Sequence, residues 1–550
     1  MDPSPAPGRS TPVLAPADWA IGSFTETAPW LVEPDSMPWR TGIVELRRHV
    51  RAGVPALVST RRIPPAGRMA TVVASIGGAL ALWQLVERRR GGSESRAGLS
   101  RRLRIAFSNL GPTFIKLGQI ISAGEGIFPA ELVSEFRLCR DRMPAEPFGV
   151  VRATIEAELG GPLERFFADI DREPVAAASI AQVHRARLVD GTDVVVKVQR
   201  SDVDRVVRRD LAVLAWLAPL LVGRIPVSAL ANPPALVELF AETIVEELDF
   251  RLEAENMLDV ARVLAACDQR ALVVPRPHPT LVSRRVLVME PLDGFGWTEV
   301  DQMRSAGIDT TAVLRSGLIG FLEGAVLFGV FHGDLHPGNL VVLGDGRVGL
   351  LDHGITGRLD HHGRLAFLRL LVAGTANDPK GQLAALRDLG ALPEDVDLDQ
   401  VLSDLGLDRP PRDPLEMSPD ELVAEIREMT KSLLGYGARM PKELMLFVKN
   451  MLFLDEAVST MAPDIDVIGE VLRLSAYFTE RHGSRIAADI GIDPTQIRVD
   501  PDGLRAALGV VEPVDRITYR DLQERRELMR RRMEGHRRRS TSERRRPWRR

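Results

Sequence analysis

The run 332–354, HGDLHPGNLVVLGDGRVGLLDHG, restricts this chain more than any other stretch. Two apolar segments, 340–343 and 348–351, flank Gly344-Asp345-Gly346, the arrangement of a buried β-hairpin closed by an Asp-Gly turn. Such a hairpin sets Asp334 and Asn339 just before its first strand and Asp352 just after its second, so that all three meet at one end. Hard-oxygen side chains gathered in this way suit phosphoryl transfer, in which a protein mostly positions the reactants and neutralises charge. Asp334 would orient or deprotonate an acceptor, while Asn339 and Asp352 would hold Mg²⁺ against phosphates. Two other readings compete. One is a polar loop with an Asx turn and no chemistry. The other is a metal hydrolase built on His332, Asp334, His336 and His353, which lacks an H-E-x-x-H or Cys/His ligand spacing.

At 550 residues the chain exceeds one small core, and about 150 residues per domain implies roughly three or four units. Its 45% hydrophobic and 27% charged content is that of a soluble globular protein. Cys139 and Cys267 form no ligand spacing and read as reduced thiols rather than a disulfide framework. The net charge is −4, yet 525–550 is dense in arginine, so the rest of the chain is more acidic than the total. That tail reads either as a site for anionic lipid or nucleic acid or as a solvated, disordered end, and no specific nucleic-acid partner is expected. Residues 1–60 begin in Pro, Ala, Ser and Thr and carry Trp19, Trp30 and Trp39 without periodicity, which reads as mostly disordered. The basic start and apolar core of a secretory signal are absent from this segment. The uncharged run 69–86 lies between Arg68 and Glu87-Arg88-Arg89-Arg90 and just reaches the roughly 18 residues of a membrane span. Gly77-Gly78 weakens an isolated helix there, so a spanning helix, an interfacial helix and a buried soluble helix all stay open.

Upstream, 174–198 reads strand, Asp190-Gly191 turn, strand, with Lys197 alone among valines. A lysine in an apolar strand requires an anionic partner, because burying its charge unpaired costs several kcal/mol. A nucleotide phosphate and a helix carboxylate would meet that need. The run 238–254, ELFAETIVEELDFRLEA, reads as one acidic helix on which Asp249 and Glu253 share a face. The competing reading is a solvated charged face. In 113–121 the apolar residues fall on one helical side, leaving Lys116 and Gln119 on a neighbouring polar one.

Taken together, LGPTFIKLGQ at 110–119, the alanine-rich loop Ala176-Ala177-Ala178-Ser179, Glu247-Leu248-Asp249 and HGDLHPGN resemble the UbiB/ADCK (AarF, ABC1-type) family of atypical protein-kinase-like proteins. The resemblance covers about residues 100–480 and implies an α+β, bilobal protein-kinase-like fold with an added N-terminal helical extension packed on the lobes. It divides the chain into a mostly disordered 1–60, an extension 61–145 with the candidate membrane helix 69–86 and the K-x-G-Q helix, a small lobe 146–292, a helical large lobe 293–480, and a C-terminal extension 481–550 with the basic tail. It implies Asp334, Lys197 and Glu253 as catalytic residues, and a nucleotide site of Ala176, Ala177, Ala178, Ser179, Lys197 and the hinge residues Met289 and Glu290. Asn339 and Asp352 become metal ligands, and Lys116, Gln119, Glu247 and Asp249 a self-supplied regulatory lid. On a straight helix Glu247 and Asp249 point about 200° apart, so which of them meets Lys116 is left open.

Two departures stand out. Ser122-Ala123-Gly124-Glu125-Gly126 replaces a commonly basic S-T-R, and Asp352-His353-Gly354 replaces D-F-G, which keeps the aspartate and changes the aromatic. Methyl groups in the 176–178 loop also prevent the closest backbone approach to phosphates that glycines permit. The function implied is an ATP- and Mg²⁺-dependent ATPase or small-molecule phosphotransferase connected to isoprenoid or quinone-type lipids, cytoplasmic and membrane-associated. The alternatives are an ordinary protein or metabolite kinase and a catalytically silent, nucleotide-gated membrane scaffold.

Overall fold

The structure, a computed structural model, describes residues 24–25, 29–31, 33, 36–59, 66–90, 92–122, 128–139, 143–221, 233–408, 421, 429, 432–433, 435–438, 441–491, 500–507 and 516–543. The extension contributes helices α1 (Ile43–Ala52), α2 (Ala66–Val86) and α3 (Pro112–Ser122). On α3, Phe114, Leu117 and Ile121 turn into an apolar cluster with Phe136 and Cys139. Gly118 lets that packing close, because a Cβ there would come within 2.8 Å of the Phe136 ring. Residues 36–59 depart from the disorder expected of 1–60. Trp39 and Met37 are buried in the main core, and the segment docks on the small lobe through Arg40–Glu255 (2.7 Å), from the turn before α1, and Arg51–Glu246 (2.6 Å), from α1 itself. Trp39 shows no periodicity because it enters the core from a short turn. Trp19 and the S-A-G-E-G departure beyond Ser122 lie outside the described residues.

The small lobe carries helix α4 (Phe148–Leu159) and strands β1 (Phe167–Ile170), β2 (Ala176–Ala177), β3 (Ala181–Leu188) and β4 (Asp193–Gln199), joined after a helical excursion by β6 (Pro277–Val282) and β7 (Val286–Met289). Strand order is β1-β3-β4-β7-β6, with β2 added to β3. Side chains alternate along β4, so Val194, Val196 and Val198 pack with Val151 and Ile155 of α4. Lys197, opposite Val183 and Leu287, therefore faces the other side of the sheet. The single helix expected over 238–254 is two: α5 (Pro233–Glu246) and α6 (Phe250–Ala266). Asp249 breaks the run as the N-cap of α6, extended at φ −137° and accepting the Arg251 N–H at 3.2 Å.

The large lobe begins with β5 (Leu272–Val273), which joins β8 (Phe295–Gly296) and the hairpin β10 (Leu340–Val342) and β11 (Val348–Leu350) in the order β5-β11-β10-β8. The hairpin pairs Leu340 with Leu350 and Val342 with Val348. Helix α7 (Thr310–Glu323) continues as one π-helical turn, Gly324–Phe328. The apolar run 310–331, which reads in sequence as one helix, is not helical to its end, because Gly329 at φ +69° turns the chain into β9 (Val330–His332), which pairs with β12 (Thr356–Arg358). Helices α8 (His361–Thr375) and α9 (Lys442–Met461) close the core, where Phe447 of α9 meets Phe321, Phe331 and Phe367 with ring centroids 4.5 to 6.1 Å apart. The boundary expected at 480 falls inside α10 (Val467–Ile490), which the lobe holds through Tyr477–Glu323 (2.7 Å) and Arg364–Asp489 (2.8 Å). The basic tail starts as helix α11 (Tyr519–Glu543), seated by Leu522 on Ile468 and Ile517 and by Arg526–Asp455 at 2.9 Å. Helical periodicity over 422–434 and a proline break at 410–411 are also read from the sequence, and both, with residues 544–550, lie largely or wholly outside the described residues.

Candidate active site

β4, α6 and the end of β11 converge on one cleft. Lys197 Nζ lies 2.6 Å from Glu253 Oε1 and 3.3 Å from Asp352 Oδ2. Burial works against its ammonium, but Asp352 and Glu253 reverse that and hold it above the usual lysine range. Glu253 Oε2 is buried without a hydrogen-bond partner, and burial holds the carboxyl above its ordinary value. Asp352 adopts φ +52°, a left-handed backbone that carboxylate and amide residues tolerate, and Oδ1 accepts the Gly354 N–H at 3.1 Å. Burial opposes its charge, but Lys197 and Lys116 keep the carboxylate well below the usual range.

Asp334 and Asn339 follow β9, across the cleft from Lys197. The Asn339 amide nitrogen donates to the Asp334 carbonyl at 3.0 Å, leaving Oδ1 as its ligand atom, and the Asn339 carbonyl accepts the Leu351 N–H at 2.8 Å. His332 binds both halves together: Nδ1 accepts the Asp334 N–H at 3.1 Å and Nε2 donates to the Leu351 carbonyl at 3.0 Å. Both ring nitrogens are thus spent and burial keeps the imidazole neutral, which removes it from the hydrolase reading. Among the described residues no three His, Cys, Asp or Glu side chains form a metal-binding group.

His353, in the altered aromatic position, is fully buried and edge-on to His332 with centroids 5.0 Å apart. Nε2 donates to the Leu350 carbonyl at 2.9 Å, and Nδ1 has no partner. Burial and His332 push its pKa down to about 3, so it acts as a neutral plug. Its carbonyl accepts from Asn256 of α6 at 2.8 Å, tying the Glu253 helix to the Asp352 loop. His353→Phe removes one hydrogen bond and one orphaned polar atom together, so the expected stability change stays within about 1.5 kcal/mol by urea unfolding. A loss above about 3 kcal/mol would show that the plug needs its imidazole.

α3 covers the cleft. Lys116 is buried 3.0 Å from Glu247 Oε2, in the break between α5 and α6, and Glu247 Oε1 has no partner. Burial first, then Asp352 and Asp334, raise the Glu247 carboxyl to about 7 against the pull of Lys116. The choice left open between the two acids falls to Glu247. Asp249 stays out of the cleft, paired with Arg251 at 2.7 Å. Gln119 is half-buried one turn beyond Lys116.

The alanine loop is bound by its backbone to the extension's trailing segment. Ala176 and Ala177 form β2, the Ala177 carbonyl accepts the Met143 N–H at 3.0 Å, and the Ala178 carbonyl accepts from Arg200 at 2.9 Å. Ser179 is buried. At the hinge, Met289 ends β7, and the Glu290 N–H donates to the Arg276 carbonyl at 2.9 Å while its carboxylate takes Thr25 Oγ1 and the Arg276 N–H. The Glu290 side chain and amide therefore serve the hinge's own support.

Sequence reasoning missed Lys449 and Asn450 of α9. Lys449 Nζ pairs with Asp334 Oδ1, and Lys449, His336 and Lys116 hold that carboxylate well below the usual range although burial opposes it. Asn450 is fully buried, donates to the His332 carbonyl and accepts the Leu335 N–H at 2.9 Å. The available signal was an adjacent lysine and asparagine inside the apolar run LMLFVKNMLFL.

A profile of the ABC1 atypical kinase-like domain matches residues 138–385. An uncharacterized protein of Mycobacterium tuberculosis is 34% identical over 377 residues, covering 68% of this chain and 76% of that protein. An uncharacterized chloroplastic aarF domain-containing protein kinase of Arabidopsis thaliana is 32% identical over 391 residues, covering 66% and 72%. A probable protein kinase UbiB of Aeromonas hydrophila is 29% identical over 379 residues, covering 68% and 69%.

Proposed function

The chain belongs to the ABC1/UbiB family of atypical kinase-like proteins, and from that premise we propose that it is an ATP- and Mg²⁺-dependent ATPase or small-molecule phosphotransferase serving isoprenoid or quinone-type lipid metabolism at a membrane surface. The observation that carries this reading is the Lys197–Glu253–Asp352 cluster, closed to 3.3 Å beneath a lid whose Lys116 is itself buried. Among the described residues, four carboxyl side chains, Glu247, Glu253, Asp334 and Asp352, meet three ammonium groups, Lys116, Lys197 and Lys449. The excess acid, the orphaned oxygens of Glu247 and Glu253, and the hard donors of Asp352 and Asn339 fit a divalent cation. Magnesium held by Asp352 and Asn339 would neutralise charge on the phosphates.

The protein's own groups then divide the work. Lys197, oriented by Glu253, offers its ammonium to the nucleotide's phosphates, and Asp334 orients the attacking hydroxyl. Lys116 and Glu247 fill the space a peptide acceptor would take, which favours water or a small molecule over a protein side chain. Membrane association is supported by α2, which is long and apolar enough to cross a membrane and leaves Val73, Leu80, Leu82 and Leu85 exposed. The other such helix among the described residues, Thr310–Phe328, is half-buried in the large-lobe core.

Phosphate release from Mg-ATP, with and without anionic liposomes carrying isoprenoid head-group analogues, tests the reading. Asp334→Asn is expected to lower turnover by about 10²-fold or more. Equal release by wild type and variant would assign a nucleotide-gated scaffold instead.

A further inference from the structure

Among the described residues three ammonium groups enter the cleft, and two of them are accounted for: Lys197 by Glu253 and Asp352, and Lys116 by Glu247. The third, Lys449, comes from α9 and sits on Asp334 Oδ1, the group proposed to handle the acceptor's proton. Its side chain keeps 19% of its surface accessible and that of Asp334 keeps 13%, so the pair is not sealed from solvent. The position of Lys449 is built. Asn450 is fully buried and bridges the His332 carbonyl and the Leu335 amide, which flank Asp334, so α9 is fastened to the loop on both sides of the aspartate. His336, two residues past Asp334, is the other cationic candidate nearby. It stands off at 3.9 Å from Oδ2, while its Nδ1 accepts the Gly338 N–H at 3.0 Å.

We infer that Lys449 is a phosphate-contacting catalytic residue that caps Asp334 at rest and moves its ammonium to the terminal phosphoryl group of ATP when nucleotide enters. This rests on the nucleotide-binding reading above. A lysine ammonium is a point charge on a flexible stem, able to exchange one anion for a more highly charged one without rebuilding the site. The exchange uncovers Asp334 as phosphate arrives. The oxygen of water, or of an acceptor hydroxyl, then bonds to the γ-phosphorus, and the bond to the bridging oxygen breaks with its electron pair left on ADP. The attacking oxygen's proton passes to Asp334 and on to solvent. Lys449 follows the charge on the transferred group, so its contribution is to ATP and the transition state and not to ADP.

The test measures Mg-ATP and Mg-ADP affinities of the full chain by calorimetry beside phosphate release. In Lys449→Met, Mg-ATP affinity is expected to fall about 10-fold with Mg-ADP affinity within about 2-fold, and turnover to fall about 10²–10³-fold. Lys449→Arg should restore the preference for ATP over ADP with only part of the rate. Should Lys449→Met not fold, Lys449→Gln, which keeps a donor to Asp334, is expected to show the same ATP-specific loss. Equal weakening of both nucleotides, or no change in either, overturns the inference while leaving the nucleotide site intact. A wild-type chain that binds neither nucleotide overturns the underlying reading itself.

Discussion

Asp352→Asn is expected to abolish magnesium-dependent stabilisation by nucleotide. The substitution is close in shape, and asparagine tolerates the left-handed backbone that Asp352 adopts at φ +52°, so the turn after β11 should survive. What changes is charge. Lys197 keeps Glu253 at 2.6 Å and loses its second carboxylate at 3.3 Å, and the Asn339–Asp352 ligand pair loses its only formal negative charge. A ligand that binds only the folded state stabilises it by about 2.7 kcal/mol at 100 times its dissociation constant, a clear thermal shift. Wild type should show that shift with Mg-ATP and lose it on chelation. The variant should show none in either condition. A full shift in Asp352→Asn would move the metal away from the end of the hairpin.

The second large effect concerns the lid and depends on pH. Glu247 has a folded-state pKa of about 7 against an ordinary value of 4.5, through burial and the neighbouring Asp352 and Asp334. Between those values the folded carboxyl keeps a proton that the unfolded chain has released. Its stabilising contribution is therefore complete below pH 4.5 and is lost as pH rises towards 7, a change of about 3 kcal/mol. Glu247→Gln holds a neutral side chain at every pH. Urea unfolding of both proteins at several pH values from 4.5 to 7.5 should show wild type losing about 3 kcal/mol relative to the variant across that window. The comparison cancels the buried His353 and the half-buried His278, whose lowered pKa values act in the opposite direction: they stabilise above their unfolded value and lose that as pH falls. A flat difference would mean that Glu247 is ionised throughout and that Lys116 meets an ordinary ion pair. A slope as expected makes Glu247 neutral in acid and half-ionised near pH 7, where modest changes around Lys116 would shift how tightly α3 covers the cleft.

The amount of this site that could be read in advance varied by element. The hairpin 340–350 and the placing of Asp334, Asn339 and Asp352 at its end followed from an Asp-Gly turn between β-branched runs, and the bilobal α+β kinase-like fold followed with the motifs in order. The need of Lys197 for an acidic partner was likewise legible, because a charged group in a strand of valines cannot be buried alone. The break at 247–249 was not. Residues 238–254 satisfy helical periodicity throughout, and only the tertiary environment, with Lys116 drawing Glu247 one way and Asp249 capping α6 the other, decides against one continuous helix. Trp39 and Met37 carried no pattern because grooves built by distant elements receive them.

Turn chemistry, side-chain period and the price of unpaired charge act over a few residues, and the sequence alone determined whatever depended on them: two lobes, a phosphate-suited loop and a lysine in search of an acid. Partner choice acts across the whole fold. Lys116 meeting Glu247, Lys449 reaching an aspartate 115 residues away, and Asn256 holding the loop after Asp352 were decided only when the lobes and extension packed. The reason is physical: desolvation obliges each buried charge to find a counter-charge, but which one is within reach is a matter of three-dimensional distance.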